Sequence, residues 1–427
     1  MSFKLKEGLL LGTATAGAQI EGGDTNSNWA RFSAEGKIAD GTSILRATGH
    51  WERWREDCEL MARMGMQIYR LGIEWSRIEP KRGEFSEEAL KRYREEILYL
   101  GELGIKPLVT LHHFTHPLWF EDLGGFTSKE APDLFMRYVE RVIDAIGDVA
   151  AEYITINEPN VYATNSLFYG QWPPEKRSMG ALVRAFTNMT ACHVRAYEYI
   201  HDRRREMGYD DTKVGFANHL RIFEPKNKKN PWHRLCARLS EWLFQGAITE
   251  AMMSGSCRFP VGRAKGVRKG KYYDFIGINY YSRSTVSGIA DGVREGCFKN
   301  DLGWEIYHEG LIELARRLGD KYGAPVYVTE NGTCDNTDAF RPLFIYEQLK
   351  AISESDNPIE RYYHWSFVDN FEWKEGESAR FGIVHVDYES GERTVKASGR
   401  LYSEIIRSGG VSEEVYRELV EPCKYHY

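Results

Sequence analysis

The chain has 427 residues, of which 42% are hydrophobic and 28% charged, a composition typical of a globular protein. Its formal net charge of −6 argues against a surface that attracts nucleic acid or an anionic membrane, so we expect neither as a partner. No apolar run approaches the ~18 residues of a membrane span, and the short run at 9–11 is a poor signal peptide because Gly12 follows it.

Cysteine usage and the one basic stretch carry little functional information. The seven cysteines are odd in number, irregularly spaced and without a CxxC pair, which argues against a disulfide framework or a zinc site. We therefore expect a reducing compartment and a cytoplasmic protein. The basic stretch at 258–271 is interrupted by glycines and is interpreted as a solvated loop.

Eight short apolar runs alternate with helical patterns along the chain. The predicted strands span residues 9–13, 68–73, 107–111, 153–156, 214–218, 275–279, 326–329 and 362–367. Continuous apolar strands separated by helices are typical of a parallel sheet covered on both sides. Eight such units favour a closed (β/α)8 TIM barrel over an open sheet, and a barrel with loop insertions can exceed roughly 400 residues. We expect residues 1–427 to form one catalytic domain.

Three of the stretches between strands show apolar residues at helical spacing. The first runs from Trp51 to Met64, and another places Tyr307, Leu311, Leu314 and Leu318 on one face. A third is indicated by Leu235, Leu239, Trp242 and Gly246. Glycine- and lysine-rich pieces at 225–231 and 262–270 are predicted to be loops rather than domain boundaries.

Two glutamates stand at the ends of apolar strands. Glu158 follows Tyr-Ile-Thr-Ile-Asn and precedes Pro159, whereas Glu330 follows Val-Tyr-Val-Thr and precedes Asn-Gly. A buried carboxylate is costly unless it is paired or used. Both glutamates fall at the carboxyl ends of predicted strands, where such barrels hold their catalytic groups. Two facing carboxyl groups are what a glycosidase needs. The alternative is a pair of structural carboxylates bound to arginines.

Three histidines close together raise the question of a metal site. His112, His113 and His116 lie within five positions, but adjacent strand residues point to opposite faces. We therefore expect no metal. Neither a nucleophile-elbow motif nor a glycine-rich phosphate loop occurs.

Several separate motifs together resemble glycoside hydrolase family 1, the β-glucosidase and β-galactosidase family. The resemblance runs from Gly12 to about Tyr402. The motifs are Gln19-Ile-Glu-Gly22, Tyr69-Arg70, Trp75-Ser-Arg-Ile78, His112-His-Phe-Thr115, Pro117-Leu-Trp119, Asn157-Glu-Pro159, Ile278-Asn-Tyr-Tyr281, Thr329-Glu-Asn-Gly332, Trp365-Ser366 and Asp369-Asn-Phe-Glu-Trp373.

The resemblance implies a retaining mechanism with Glu158 as general acid/base and Glu330 as nucleophile. Retention requires two carboxyl groups about 5–5.5 Å apart, one attacking the anomeric carbon and one protonating the leaving oxygen. It further implies that Arg70 and Tyr281 contact the nucleophile and that Asn279 belongs to the catalytic group. No cofactor is implied.

The same resemblance implies a closed sugar pocket. Trp365 would form its stacking floor, and Phe381 is counted with the substrate-binding residues. Sugar hydroxyls would be bound by Gln19, His113, Asn157, Glu330, Glu372 and Trp373, with Asn157 holding the 2-hydroxyl. Without the resemblance, Glu372 and Trp373 fit a solvated carboxylate beside a core tryptophan as well as they fit a sugar-binding pair.

The expected substrate is a small glycoside or oligosaccharide with an unphosphorylated terminal β-glucosyl, β-galactosyl or β-fucosyl unit. Glu372 would repel a phosphate dianion, which disfavours the first alternative, a 6-phospho-β-glycosidase. The second alternative, a catalytically silent sugar-binding barrel, is disfavoured because both glutamates are present. The sequence does not determine the preferred sugar, the aglycone, or the balance of hydrolysis and transglycosylation. It also leaves the oligomeric state open, and a homo-oligomer is one possibility.

Overall fold

Eight parallel strands close into a barrel in the computed structural model, which describes residues 2–288 and 291–426. The barrel strands, numbered here in chain order, are β1 (Leu10–Ala14), β2 (Ile68–Gly72), β3 (Lys106–Thr110), β4 (Glu152–Asn157), β5 (Lys213–Pro225), β6 (Ile276–Val286), β7 (Val326–Asn331) and β8 (Ile359–Trp365). Each pairs with its neighbours in sequence, β8 pairs with β1, and β5 pairs with β6 to close the ring. The predicted (β/α)8 barrel is confirmed.

All eight predicted strands are present, but two of them are much longer than predicted. The pairing of β5 with β6 continues beyond the barrel, from Ala217 opposite Gly277 to Pro225 opposite Val286. The apolar runs that identified these strands end at Asn218 and Asn279, because the extensions are only half-buried and mix polar with apolar residues. β8 begins earlier than predicted, at Ile359, and ends at Trp365.

Helices surround the barrel, and most of them bury an apolar face against it. The α-helices are Gly17–Ile20, Asn28–Ala34, His50–Arg63, Trp75–Ile78, Glu87–Glu102, Leu118–Asp122, Ala131–Ile146, Pro159–Tyr162, Met179–Glu206, Pro231–Glu241, Ala247–Ser254, Glu309–Tyr322, Arg341–Glu354, Ala397–Ser408 and Glu413–Leu419. Short 3₁₀ turns span Gly125–Thr127 and Trp373–Glu375, and π-helical turns span Ala163–Phe168 and Trp242–Gly246. Ser86 and Ser178 cap two of the long helices by accepting a backbone N–H three residues on.

Small strands outside the barrel close its ends and loops. Phe3–Lys4 pairs with Gly410–Val411, and Val384–Val386 pairs with Arg393–Val395. Asp291–Gly292 adds to the extension of β6.

The helix predicted around Leu235 exists, but its apolar face is not buried as predicted. Leu235 and Leu239 are 48% and 49% exposed, and Cys236 and Ala237 are the residues that pack inwards. The expected continuation to Gly246 is a π-helical turn rather than regular α-helix.

Candidate active site

Glu158 and Glu330 lie at the carboxyl end of the barrel, on opposite sides of its rim. β4 ends at Asn157, and Glu158 turns the chain into the short helix that begins at Pro159. The Glu158 N–H donates to the carbonyl of Ala217 on β5, at 2.8 Å, which anchors this turn. Glu330 lies within β7. Both glutamates are buried.

Both carboxylate oxygens of Glu330 accept hydrogen bonds. Arg70 Nη1 lies 2.6 Å from Oε1, and the Tyr281 hydroxyl donates to Oε2 at 2.7 Å. Burial raises the pKa of Glu330 to about 8; Arg70 opposes that change, and the carboxylate of Glu158 adds to it. The two donors favour the ionised form of Glu330 and so oppose the burial, which favours the neutral acid.

Only one carboxylate oxygen of Glu158 is engaged in the described part of the chain. Asn279 Nδ2 donates to Oε1 at 2.8 Å, and His219 Nδ1 lies 3.2 Å from the same oxygen. Oε2 has no hydrogen-bond partner among these residues, which leaves it available to carry a proton and to face a ligand.

The two carboxyl groups act on each other. The charge of Glu158 adds to the rise in the pKa of Glu330, so the two groups do not ionise independently. Their hydrogen bonds differ: Glu330 accepts on both oxygens, which favours its ionised form, whereas Oε2 of Glu158 has no partner among the described residues. This difference suits one carboxylate and one carboxylic acid in the same pocket.

A buried amide network links the two glutamates. Asn157 Oδ1 accepts from Arg70 Nη2 at 2.7 Å and from Asn279 Nδ2 at 3.0 Å. Asn279 Oδ1 accepts from the hydroxyl of Thr329 at 2.6 Å, which fixes the orientation of this side-chain amide. The network holds the strand ends of β2, β4, β6 and β7 in one arrangement around the pocket.

His113 serves this network as an acceptor. Burial, with Arg70 acting the same way, keeps the pKa of His113 well below its usual range, so the imidazole is neutral. Its Nε2 accepts from Asn157 Nδ2 at 2.9 Å. The adjacent His112 packs instead against Phe126 and His116, on another side of the strand. Among residues 2–288 and 291–426, no group of His, Cys, Asp and Glu side chains is arranged to hold a metal ion.

Gln19 and Glu372 form a polar pair at the other side of the pocket. Gln19 Nε2 donates to Glu372 Oε2 at 3.3 Å, and Asn370 Nδ2 donates to the same oxygen at 3.1 Å. Burial raises the pKa of Glu372 to about 7, against the lowering by these two amides. Gln19 Oε1 is buried with no partner in the described chain, and such an acceptor calls for a donor from a ligand.

Aromatic rings wall the pocket between these polar groups. The ring of His113 is stacked on those of Trp365 and Trp373, each with a centroid separation of 5.8 Å. Phe381 is fully buried and packs edge-on against Tyr281, at 6.2 Å, so it supports the tyrosine from behind. Gly332 allows β7 to approach β8 here, because a Cβ at this position would lie 1.9 Å from the carbonyl of Trp365.

Backbone strain is concentrated at this site. Six non-glycine residues of the described chain have positive φ, and three of them are Phe114 (67°), Glu158 (43°) and Trp373 (48°). Such conformations cost of order 1–3 kcal/mol each and are kept where surrounding structure demands them. The positive φ of Glu158 aims its carboxyl group away from the strand and towards Asn279.

The structure adds polar residues to the site that the sequence patterns did not identify. His219 contacts Glu158, Asn370 contacts Glu372, and Thr329 orients Asn279. His219 carried a usable signal, since it directly follows the apolar run of β5 as Glu158 follows that of β4. Asn370 lies in a loop after β8, where no periodicity indicates which side chains turn inwards.

Two features concern the cysteines and the membrane. All seven cysteines are free in this structure. Among residues 2–288 and 291–426, no helix is long and apolar enough to cross a membrane.

Comparison with known proteins identifies the family. The model of glycosyl hydrolase family 1 matches residues 1–411. Beta-glucosidase A of Thermotoga maritima is 32% identical over 96% of this chain and 99% of its own length. A beta-glycosidase from Pyrococcus horikoshii superposes with a TM-score of 0.89, at 35% identity, covering 98% of both chains.

A liganded structure is similar over the same extent. The beta-glucosidase from Thermotoga maritima in complex with glucoimidazole has a TM-score of 0.87 and 31% identity, and covers 96% of this chain and 100% of that one. Matches that cover both chains almost completely place the similarity in the whole barrel rather than in a part of it. The chain belongs to glycosyl hydrolase family 1 and is a glycoside hydrolase.

Proposed function

We propose that the protein is a retaining exo-β-glycosidase, chiefly a β-glucosidase, that releases an unphosphorylated terminal β-glucosyl, β-galactosyl or β-fucosyl unit. The observation that carries this proposal is the unequal bonding of the two buried carboxyl groups. One is bonded on both oxygens as an anion, and the other keeps a free oxygen for a proton. A retaining glycosidase needs one carboxylate as nucleophile and one carboxylic acid as proton donor.

In the first step, Glu330 attacks the anomeric carbon while Glu158 gives its proton to the leaving oxygen. Attack consumes the negative charge of Glu330, and the bond to the aglycone breaks as the ester forms. Arg70 and Tyr281 hold Glu330 in place for this attack. In the second step, Glu158, now ionised, removes a proton from water, which attacks the same carbon and releases the sugar. The configuration at the anomeric carbon is retained.

The polar pair Gln19 and Glu372 supports an unphosphorylated sugar. Its partners are neutral amides, and no salt bridge joins Glu372 to a lysine or arginine in the described chain. Such a pair suits vicinal hydroxyls, which donate and accept, whereas a phosphate dianion would meet a carboxylate. The beta-glucosidase that binds glucoimidazole supports a substrate of the same class, a small β-glycoside.

The cysteines indicate the compartment. Seven free cysteines suit a reducing environment, so we propose that the enzyme acts in the cytoplasm. The closed barrel supports our proposal that residues 1–427 form a single catalytic domain.

The test is covalent trapping with an activated 2-deoxy-2-fluoro-β-glucoside, read by mass spectrometry. The 2-fluorine slows the second step, so the glycosyl ester accumulates on the peptide that contains Glu330. Glu330→Gln should show no adduct and no turnover. An adduct on another residue, or turnover with inversion in the product NMR spectrum, would rule out the mechanism. Turnover of only a 6-phospho-β-glucoside would favour the 6-phospho-β-glycosidase alternative. Sugar binding without any turnover would favour the catalytically silent barrel.

A further inference from the structure

We propose that His219 is a positioning residue for the acid Glu158, and that Arg221 fixes the tautomer in which His219 does this. The inference rests on the proposed role of Glu158. It concerns two side chains of β5 that lead to the carboxyl group of Glu158, in the order Arg221, His219, Glu158.

The tautomer of His219 follows from its two neighbours. Arg221 Nε lies 3.2 Å from His219 Nε2 and, as a guanidinium nitrogen, can only donate. Nε2 must therefore be the unprotonated nitrogen, and the proton of the neutral ring must sit on Nδ1. His219 Nδ1 lies 3.2 Å from Glu158 Oε1, so the contact is an N–H donated to this oxygen rather than an ion pair.

The consequence for Glu158 is a choice between its two oxygens. His219 and Asn279 both donate to Oε1, which makes that oxygen the carbonyl-like one in the acid form. The proton is thereby directed to Oε2. A proton on Oε1 instead of Oε2 would be turned away from the leaving group. The two donors to Oε1 therefore set the geometry of proton transfer.

The scaffold holds this chain of residues firmly. Gln245 clamps the backbone of Arg221 with two hydrogen bonds, from the Arg221 N–H at 2.9 Å and to its carbonyl at 3.0 Å. Gln245 belongs to the π-helical turn Trp242–Gly246, a type of irregularity frequently found at functional sites. Asn160 Nδ2 donates to the carbonyl of His219 at 2.7 Å.

The ring of His219 also has a packing role that must be separated from its hydrogen bond. It stacks on Tyr281, with centroids 5.8 Å apart and an interplanar angle of 17°. Tyr281 in turn donates to Glu330. A loss of the ring could therefore disturb the nucleophile, whereas the loss of its N–H alone should disturb only the acid.

The experiment compares two replacements across a series of aryl β-glucosides. His219→Phe keeps an aromatic ring against Tyr281 and removes the donor, whereas His219→Asn keeps an N–H near the position of Nδ1. A nitrophenolate leaves with little protonation, but phenolate needs the acid. His219→Phe should lower kcat/KM for the phenyl glucoside by about 10-fold, the value of one hydrogen bond, and for the 2,4-dinitrophenyl glucoside by about 2-fold at most. His219→Asn should restore most of the loss.

Two further variants keep the outcome decisive. Arg221→Met releases Nε2 and should show a smaller loss with the same dependence on the leaving group; it serves in place of His219→Phe if that variant does not fold. Glu158→Gln tests the proposed function separately, because its loss must be far larger for phenyl than for dinitrophenyl. If Glu158→Gln shows that gradient and the His219 and Arg221 variants lose activity equally on all substrates, the role of His219 is refuted. If Glu158→Gln shows no gradient, the proposed function itself fails.

Discussion

Arg70 and Glu330 form a fully buried ion pair, 2.6 Å between Nη1 and Oε1, at the centre of the pocket. Arg70 serves two groups at once, because its Nη2 donates to Asn157. The pair therefore couples the charge of the candidate nucleophile to the amide that borders the candidate acid. A buried ion pair is weak evidence for stability, but breaking one by removing a single partner is strongly destabilising.

Replacing Arg70 by Met should damage both stability and activity. Glu330 would then be buried without its cation, at a cost of about 3–5 kcal/mol in the free energy of unfolding. The lost donor should also lower kcat roughly 10²- to 10³-fold, as for other groups that stabilise charge in an active site. Denaturant unfolding and p-nitrophenyl β-glucoside hydrolysis measure the two effects.

The matched control for Arg70 is Arg31→Met, which removes a surface arginine that lies 2.7 Å from Asp122. Both side chains of that pair are well exposed, so stability should change by no more than about 1 kcal/mol. Equal effects of the two substitutions would contradict the importance of the buried pair.

The activity should fall at alkaline pH, where the pair of carboxyl groups holds no proton. Burial, opposed by Arg70, raises the pKa of Glu330 to about 8, and because the two carboxyl groups interact this value belongs to the pair. As the pH rises through about 8, the pair loses the proton that the leaving oxygen needs, so kcat/KM for phenyl β-glucoside should fall about tenfold per pH unit. For the 2,4-dinitrophenyl glucoside, kcat/KM should fall less over the same pH range. An unchanged rate well above that pH would contradict proton sharing by the pair.

Glu372→Gln should weaken sugar binding while the chain stays folded. Burial raises the pKa of Glu372 to about 7, so above that pH the wild type offers a charged acceptor to a hydroxyl donor. Hydrogen bonds to charged groups contribute about 1.5–3 kcal/mol, and kcat/KM should fall about 10- to 100-fold. The effect should grow as the pH rises through about 7, as Glu372 ionises.

Glu375→Gln controls for the loss of charge alone, because Glu375 lies in the same 3₁₀ turn region but is exposed. It should leave kcat/KM within about 2-fold. Hydrolysis of a 6-phospho-β-glucoside by the wild type would contradict the interpretation of Glu372 as a determinant for unphosphorylated sugars.

The sequence predicts the barrel well because its signal is repeated. Eight apolar runs flanked by polar residues locate every barrel strand, and the same rule locates Glu158 and Glu330 at strand ends. The rule fails where burial is incomplete: it misses the half-buried extension of β5 to Pro225. It also fails on the helix with Leu235, since apolar spacing shows that a helix has an apolar face but not what covers that face.

The polar network of the site is only partly predictable. Arg70 lies within the predicted run 68–73 and Asn279 ends the predicted run 275–279, so both could be located, but which partner each contacts depends on the register between strands. His219 bonds Glu158 because Ala217, two residues earlier, accepts the N–H of Glu158. This pairing between β4 and β5 leaves no trace in the spacing of residues along one chain, so the sequence places His219 after an apolar run but does not give Glu158 as its partner.

A buried cluster remote from the pocket should control stability at alkaline pH. His50 lies between Asp57, at 2.8 Å, and Glu96, at 3.0 Å. Burial favours the neutral ring, but the two carboxylates outweigh it and raise the pKa of His50 to about 9. Because the folded pKa exceeds the unfolded one, the stabilisation is fully present below about pH 6.5 and is lost as the pH rises through about 9.

His50→Gln should therefore destabilise the protein most at low pH. A pKa raised from 6.5 to about 9 corresponds to about 3 kcal/mol, and the difference from wild type should shrink by that amount as the pH rises through about 9. Denaturant unfolding at several pH values measures it. His385→Gln, at a side chain that is 44% exposed, should give a small difference with no such trend. A His50→Gln difference that stays constant with pH would show that the ring is neutral in the folded protein and acts there only by packing.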